Sequence, residues 1–198
     1  GASLQFAQIP MNLLAEGQTA GYLNTGAWGG KALDDALKVA PVYEAWSGAG
    51  EAFMRMPAAD EIEVRGDSTY LHVTTNETIG GIRLPDLPSV DVPLVSDMSS
   101  DFLSRAIDWD VHDLAYGGAQ KNLGPAGLAV VVVRRDRLSG HGRNLTSYLD
   151  YATHEANDSR ANTPPMFAIY VMGKVLRWMQ TEGGLAAFEV RSAERASI

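Results

Sequence analysis

The chemistry in this sequence is concentrated in Tyr116–Gly127, YGGAQKNLGPAG. Lys121 stands there between two apolar runs, one ending Leu114-Ala115-Tyr116 and the other beginning Leu128-Ala129 ahead of Val130–Val133. An ammonium is costly to desolvate. A lysine between buried strands therefore either reaches solvent from a turn or places its amine there for chemistry. We expect the second: an amine in this position can condense with a cofactor aldehyde to form a Schiff base. Gly117, Gly118, Gly124 and Gly127 surround it, and a backbone without side chains admits a cofactor closely.

Three further polar residues follow apolar segments in the same way. Thr78 lies shortly after the run Thr69–Thr74, Asp97 directly follows the run Asp91–Ser96, and Ser3 opens an apolar helical pattern. An aspartate so placed can cap the next turn, and Ser3 can be a simple N-cap. In a parallel α/β sheet, however, ligands gather beyond the carboxyl ends of strands. A hydroxyl, an acid and a lysine meeting there fit the needs of pyridoxal phosphate. The lysine attaches the aldehyde, the carboxylate pairs with the ring nitrogen, and N–H groups at a helix start hold the phosphate. Trp28, flanked by Gly26 and Gly29-Gly30, is either core filler or a platform for a flat ring.

The elements that must position these groups are legible in outline. Helices are expected over Ser3–Ala15, with a kink at Pro10, and over Gly26–Val39, with an Asp34–Lys38 pair one turn apart. A third is expected from Thr163 as N-cap and Pro164 as first helical residue to about Gln180, and a fourth from Leu185. Strands are expected over Ala20–Asn24, Val42–Trp46, Thr69–Thr74, Asp91–Ser96, Leu114–Tyr116 and Leu128–Val133. The polar stretch His141–Arg160 reads as loop, and Arg134–Arg137 as a solvated charge run. Strands alternating with helices predict an α/β architecture with a mostly parallel mixed sheet flanked by helices.

Composition narrows the function classes. The chain has 198 residues, 45% hydrophobic, with a net charge of −8 and no cysteine. That acidity disfavours nucleic acid or an anionic membrane as the main partner. The missing cysteines exclude disulfides and thiolate metal sites and fit a reducing, cytoplasmic compartment. No apolar run approaches the roughly 20 residues of a membrane span. His72, His112, His141 and His154 lack metal-ligand spacing, so no metal site is expected. Asn76, Asn144 and Asn157 open formal glycosylation sequons, which matter only in a secreted protein. The abrupt start at Gly1-Ala2-Ser3 leads us to expect a chain cut from something longer.

The segments GASLQF (1–6), NTGAW (24–28), NETIGG (76–81), SDMSSDFLSR (96–105), YGGAQKNLGPAGL (116–128), LDY (149–151), NTPPMFAIY (162–170) and GGLAAFE (183–189) resemble, in order, those of the phosphoserine aminotransferase family. These are class-V, fold-type-I pyridoxal phosphate enzymes. The resemblance implies that Lys121 is the Schiff-base lysine, that Asp97 pairs with the pyridinium nitrogen, and that Trp28 stacks on the ring. It implies that Thr78 contacts the cofactor near its ring hydroxyl and that Ala2, Ser3 and Gln120 bind the phosphate. Asn162 and Thr163 match residues that reach the cofactor phosphate of a neighbouring subunit, which implies a homodimer. The implied reaction transfers an amino group between L-glutamate and 3-phosphohydroxypyruvate, in serine and in some bacteria also pyridoxine synthesis. Relative to that family the chain reads as a single cofactor-binding large domain over residues 1–198. The opening segment, with a substrate-binding arginine, and the C-terminal small domain are then missing. No substrate arginine is carried onto Arg195, and His141 and Arg143 either meet a substrate phosphate or belong to a solvated loop. Two rival readings are a fold-type-I enzyme with another substrate and a cofactor-binding fragment without turnover; a desulfurase would need a catalytic cysteine.

Overall fold

The computed structural model describes residues 1–138 and 143–197. Its centre is a six-stranded sheet in the order β2-β1-β3-β6-β7-β8. The strands are β1 (Thr19–Asn24), β2 (Val42–Ser47), β3 (Ser68–Thr74), β6 (Leu94–Asp97), β7 (His112–Gly118) and β8 (Ala129–Val133), while β4 (Asn76–Glu77) and β5 (Ile82–Arg83) form a separate hairpin. All pairings in the large sheet are parallel except β7 with β8. The mostly parallel, mixed sheet expected from the sequence is therefore present. A parallel sheet must be covered on both faces, and its strands are accordingly apolar on both.

One face carries Tyr22, Tyr70, Val95, Leu114 and Tyr116, packed under α1 (Gln5–Leu13) and α2 (Ala27–Leu37) through Phe6, Ile9, Leu13, Ala32, Leu33 and Ala36. The buried His72 lies in this layer, stacked on Tyr22 at 4.7 Å between centroids and bonded through Nε2 to the Tyr116 hydroxyl at 3.0 Å. The other face, with Leu23, Leu71, Val73 and Leu94, is closed by long connections through Met56, Ile62, Val64 and Leu87. Further along, Met98, Phe102, Ala115 and Leu123 meet Met172 and Leu176 of α4 (Met166–Thr181).

Several local expectations shift. Pro10 lies inside α1 without ending it, and Ser3 sits within a 3-10 turn (Ala2–Leu4) leading into that helix rather than acting as its N-cap. Lys38 pairs with Asp35 at 2.7 Å instead of Asp34. β6 starts only at Leu94, after a proline that has no N–H for the ladder, and Asp97 is its last residue. α4 begins at Met166, not after Thr163, because Pro165 disfavours helical backbone at Pro164. The stretch expected to be loop holds α3 (Tyr151–Ala156), N-capped by Asp150, whose carboxylate accepts from the N–H groups of Ala152 and Thr153. α5 (Gly184–Ala196) packs on α4. Arg137 reaches the buried Asp113 at 2.7 Å, so the expected solvated run is partly tied down. No helix among the described residues is long and apolar enough to cross a membrane.

Candidate functional site

The parallel strands deliver their carboxyl ends to one edge, and Trp28, Thr78, Asp97, Gln120 and Lys121 follow those ends. β1 runs out at Asn24, and two residues on Gly26 caps α2, whose second residue is Trp28. β3 ends at Thr74, and the β4 segment carries the chain to Thr78. β6 ends on Asp97 itself; β7 ends at Gly118, with Gln120 and Lys121 in the turn beyond. The chain leaves β1 toward β2 on one side while β3 lies on the other, so the crevice between β1 and β3 is where a doubly wound sheet opens. Trp28 and Thr78 span it: the indole N–H donates to the Thr78 hydroxyl at 3.1 Å.

Hydrogen bonds stitch the loops together strand by strand. The Thr75 N–H and hydroxyl both donate to the Asp97 carbonyl at 3.1 Å. Asn76 donates to the Ser100 hydroxyl at 2.8 Å, and the Gly118 N–H donates to the Ser99 hydroxyl at 3.1 Å. Thr75, Ser99 and Ser100 were not singled out in the sequence. Their signal was small polar residues immediately beyond apolar strands.

Asp97 is 6% exposed, and its Oδ1 accepts the Ser99 N–H at 2.9 Å, so it does close a local turn. Burial pushes its carboxyl above the ordinary carboxylate range. Hydrogen bonds from Ser99 and Tyr116 pull the other way, and the charge of Glu77 adds to the upward push. A buried carboxylate that is expensive to ionise gains from a cationic N–H, which a protonated ring nitrogen would supply. The donor set therefore fits pyridoxal phosphate.

Lys121 is exposed, in a turn closed by Gly124 N–H to the Ala119 carbonyl at 2.7 Å and Ala119 N–H to the Leu128 carbonyl at 3.1 Å. The sequence leads us to expect an amine held between strands for chemistry rather than one reaching solvent from a turn; Lys121 is exposed on a turn just beyond the carboxyl end of β7. Three of the four glycines also have close neighbours within the protein itself. A Cβ on Gly117 would stand 2.7 Å from Phe102 Cδ2, one on Gly118 would overlap the Gln120 carboxamide, and one on Gly124 would meet Met172 at 3.2 Å. At Gly117 packing against Phe102 and the Ser99 main chain excludes a side chain, at Gly118 only the flexible end of Gln120 would have to move, and Gly127, at φ +102°, has open space around it.

The Ala2–Leu4 turn packs against β7, which sets Ala2 and the exposed Ser3 near the strand that leads to Gln120 and Lys121. Trp28 is half-buried, with the Lys31 ammonium 4.6 Å from its ring centroid. It is both packed against the core and partly presented, which combines the two readings the sequence allowed. Asn162 and Thr163 lie exposed between α3 and α4 and share no hydrogen bond with the edge residues among the described residues. Arg143 donates to the Leu14 and Val39 carbonyls at 3.0 and 2.9 Å, fastening the ends of α1 and α2, and His141 lies outside the described residues. A cavity of about 520 Å³ is lined by Arg83, Asp101 and Arg105, and one of about 480 Å³ by Asn24, Gly30, Lys31 and Ile79. Neither is lined by Lys121 or Asp97.

Residues 46–197 match the aminotransferase class-V family. The chain is 45% identical over 199 residues to the phosphoserine aminotransferase of Niallia circulans, covering 100% of this chain and 55% of that protein. It is 44% identical over 198 residues to the phosphoserine aminotransferase of Geobacillus kaustophilus (strain HTA426), with the same coverage. Among solved structures it superimposes on phosphoserine aminotransferase from Bacillus circulans subsp. alkalophilus with a TM-score of 0.92 at 45% identity, covering 96% of this chain and 53% of that one. It superimposes on the pyridoxal-phosphate-bound phosphoserine aminotransferase of Trichomonas vaginalis with a TM-score of 0.89 at 38% identity, covering 96% and 57%. The chain spans about half the length of the curated relatives it matches.

Proposed function

This chain belongs to the aminotransferase class-V family, and on that footing we propose that it is the cofactor-binding domain of a pyridoxal-phosphate-dependent phosphoserine aminotransferase. The reaction moves an amino group between L-glutamate and 3-phosphohydroxypyruvate, giving 2-oxoglutarate and O-phospho-L-serine. One observation carries the reading. Lys121, the buried Asp97 and the Trp28–Thr78 pair follow successive parallel strands onto one edge, in a chain 45% identical along its whole length to a phosphoserine aminotransferase.

When bound, pyridoxal phosphate supplies an aldehyde for amine condensation and a ring that withdraws electrons. The residues of this chain then have separate tasks. Lys121 Nζ would be the amine that holds the cofactor, and it is the base that would accept and return a proton at the substrate Cα. The Asp97 carboxylate accepts the ring N–H, and the positive charge there offsets the cost of its burial. Trp28 offers its ring face, held by Thr78 at the indole N–H. Ala2, Ser3 and Gln120 hold the phosphate through N–H and side-chain donors. Asn162 and Thr163 reach the phosphate of a neighbouring subunit. In favour of such a homodimer, α4 starts just beyond them with Phe167 77%, Tyr170 59% and Trp178 51% exposed, an apolar face of the kind that marks an interaction surface. Serine synthesis is the pathway and the cytoplasm the compartment, in keeping with a cysteine-free composition; pyridoxine synthesis is a second use of the same chemistry.

A second reading is cofactor binding without turnover. The experiment separates the two. Pyridoxal phosphate added to the purified chain should give a visible absorbance band, and borohydride should fix the cofactor's mass on the Lys121 peptide. A band that survives Lys121→Ala sinks the cofactor assignment. Glutamate that bleaches the band supports transamination, whereas a stable band leaves cofactor binding alone. A strictly monomeric sedimentation profile removes the shared-site role of Asn162 and Thr163.

A further inference from the structure

One acid at this edge is assigned no contact in that chemistry, although its charge adds to the upward push on Asp97. Glu77 ends β4 beside Thr78 and is 0% exposed. Its carboxylate takes three hydrogen bonds from the segment that follows β1. The Gly29 N–H donates at 2.7 Å and the Thr25 hydroxyl at 3.2 Å to Oε1, and the Trp28 N–H donates at 3.0 Å to Oε2. The first N–H groups of α2 have no partner inside the helix, and an anion is favoured there. Charge-assisted bonds of this kind are stronger than neutral ones.

The surrounding backbone is shaped for that carboxylate. A Cβ on Gly26 would lie 2.8 Å from Glu77 Cδ. One on Gly29 would lie 2.7 Å from the Leu23 carbonyl oxygen, which the helix could not move away from cheaply. Thr25 is itself fully buried. The residue after Glu77 then takes the other end of the same tryptophan, since Thr78 accepts the Trp28 indole N–H. Two consecutive residues therefore grip Trp28, one by its main chain and one by its ring. The grip crosses the crevice between β1 and β3, so it fixes a ring on one loop relative to the loop opposite.

We propose that Glu77 is a positioning residue that sets the plane of the Trp28 ring for stacking on a flat, phosphorylated pyridine cofactor. The identity of that cofactor rests on the function proposed above; the grip on Trp28 does not. Glu77→Gln keeps the shape, but it turns one acceptor oxygen into an NH2 that faces a main-chain N–H.

The test has two arms. In the cofactor-free protein, the fluorescence of Trp28, isolated as the difference between the wild type and Trp28→Phe, should become more accessible to acrylamide in Glu77→Gln. Unchanged quenching overturns the proposal. In the second arm, Glu77→Gln should weaken pyridoxal phosphate binding about tenfold, in line with loss of a hydrogen bond to a charged group. In a Trp28→Ala background the same change should cost less than about twofold, because a residue acting through Trp28 has nothing left to position. An equal loss in both backgrounds means a general structural role and overturns the proposal. Should Glu77→Gln fail to fold, Thr25→Val removes one of the three bonds without creating a donor clash. It should give a smaller loss, about threefold, with the same dependence on Trp28; no dependence overturns the proposal. A wild type that binds no pyridoxal phosphate refutes the cofactor reading, and the quenching arm still decides the role of Glu77.

Discussion

His72 sets a floor on the pH at which this fold survives. The ring is 1% exposed, stacked on Tyr22, and bonded through Nε2 to the Tyr116 hydroxyl. Burial brings its pKa down from 6.5 to about 3. The folded protein therefore keeps the imidazole neutral where the unfolded chain protonates it. Protons bind the unfolded state more, so stability is complete above pH 6.5 and falls as the pH drops toward 3. At pH 5 the loss is set by the unfolded ring, about 1.5 units above that pH, at about 1.36 kcal/mol per unit, or about 2 kcal/mol. The figure holds for any folded pKa well below 5. His72→Gln cannot titrate and retains an amide for the Tyr116 hydroxyl. It should be less stable than the wild type at pH 7, but the gap should narrow by about 2 kcal/mol at pH 5. With a urea m-value of about 2 kcal/mol/M, the difference between their midpoints should change by about 1 M. Other titrating groups are common to both proteins and cancel. Unfolding curves followed by far-UV circular dichroism at pH 5, 6 and 7 supply the measurement. A gap that stays constant with pH would refute the argument that His72 is held neutral.

Two further outcomes follow from the same edge. Asp97→Asn should raise the melting temperature of the cofactor-free protein at pH 7. The folded carboxyl titrates above its ordinary value, so the native state is penalised once the pH exceeds both pKa values. The gain should vanish near about pH 3, where both states are protonated; a gain of equal size at both pH values would point to packing instead. Gly117→Ala places a Cβ 2.7 Å from Phe102 and 2.9 Å from the Ser99 Cα. It should cost about 1–3 kcal/mol in urea unfolding, and an unchanged midpoint would mean that the Ser99 turn yields freely.

The sheet was legible because its strands are locally consistent. Segments such as Thr69–Thr74 and Leu128–Val133 are rich in β-branched and aromatic residues, and the sheet uses them nearly as read. Lys121, Asp97, Thr78 and Trp28 could be located because each follows such a strand. What escaped detection depends on distant partners or on short range. α3 is six residues long; it rests on the Asp150 cap and on Tyr151, whose hydroxyl bonds Gln5 and whose N–H bonds the Asn12 side chain at 2.9 Å. Nothing in the local pattern announces those contacts. Glu77 was passed over for the same reason, since its partners lie across the sheet on the loop after β1. The apolar period of α4 did mark a helix. Only Ala168 and Met179 are buried in it, however, so helical period and burial are separate pieces of information.

The antiparallel return of β8 alongside β7 has a consequence for how the amine at its turn can act. Both ends of the Ala119–Leu128 connection are anchored, one in each strand, and the Asn122 carboxamide donates to the Phe102 carbonyl at 2.8 Å. A segment clamped at two ends and once between has little main-chain freedom left to lose. The buried β7 amides leading into it should be among the slowest to exchange with deuterium. Motion at Lys121 is then confined to rotation about its methylenes, a tether anchored on a stiff mount. Such a tether lets Nζ sweep a small volume again and again, so its effective concentration there stays high without the chain having to reorganise.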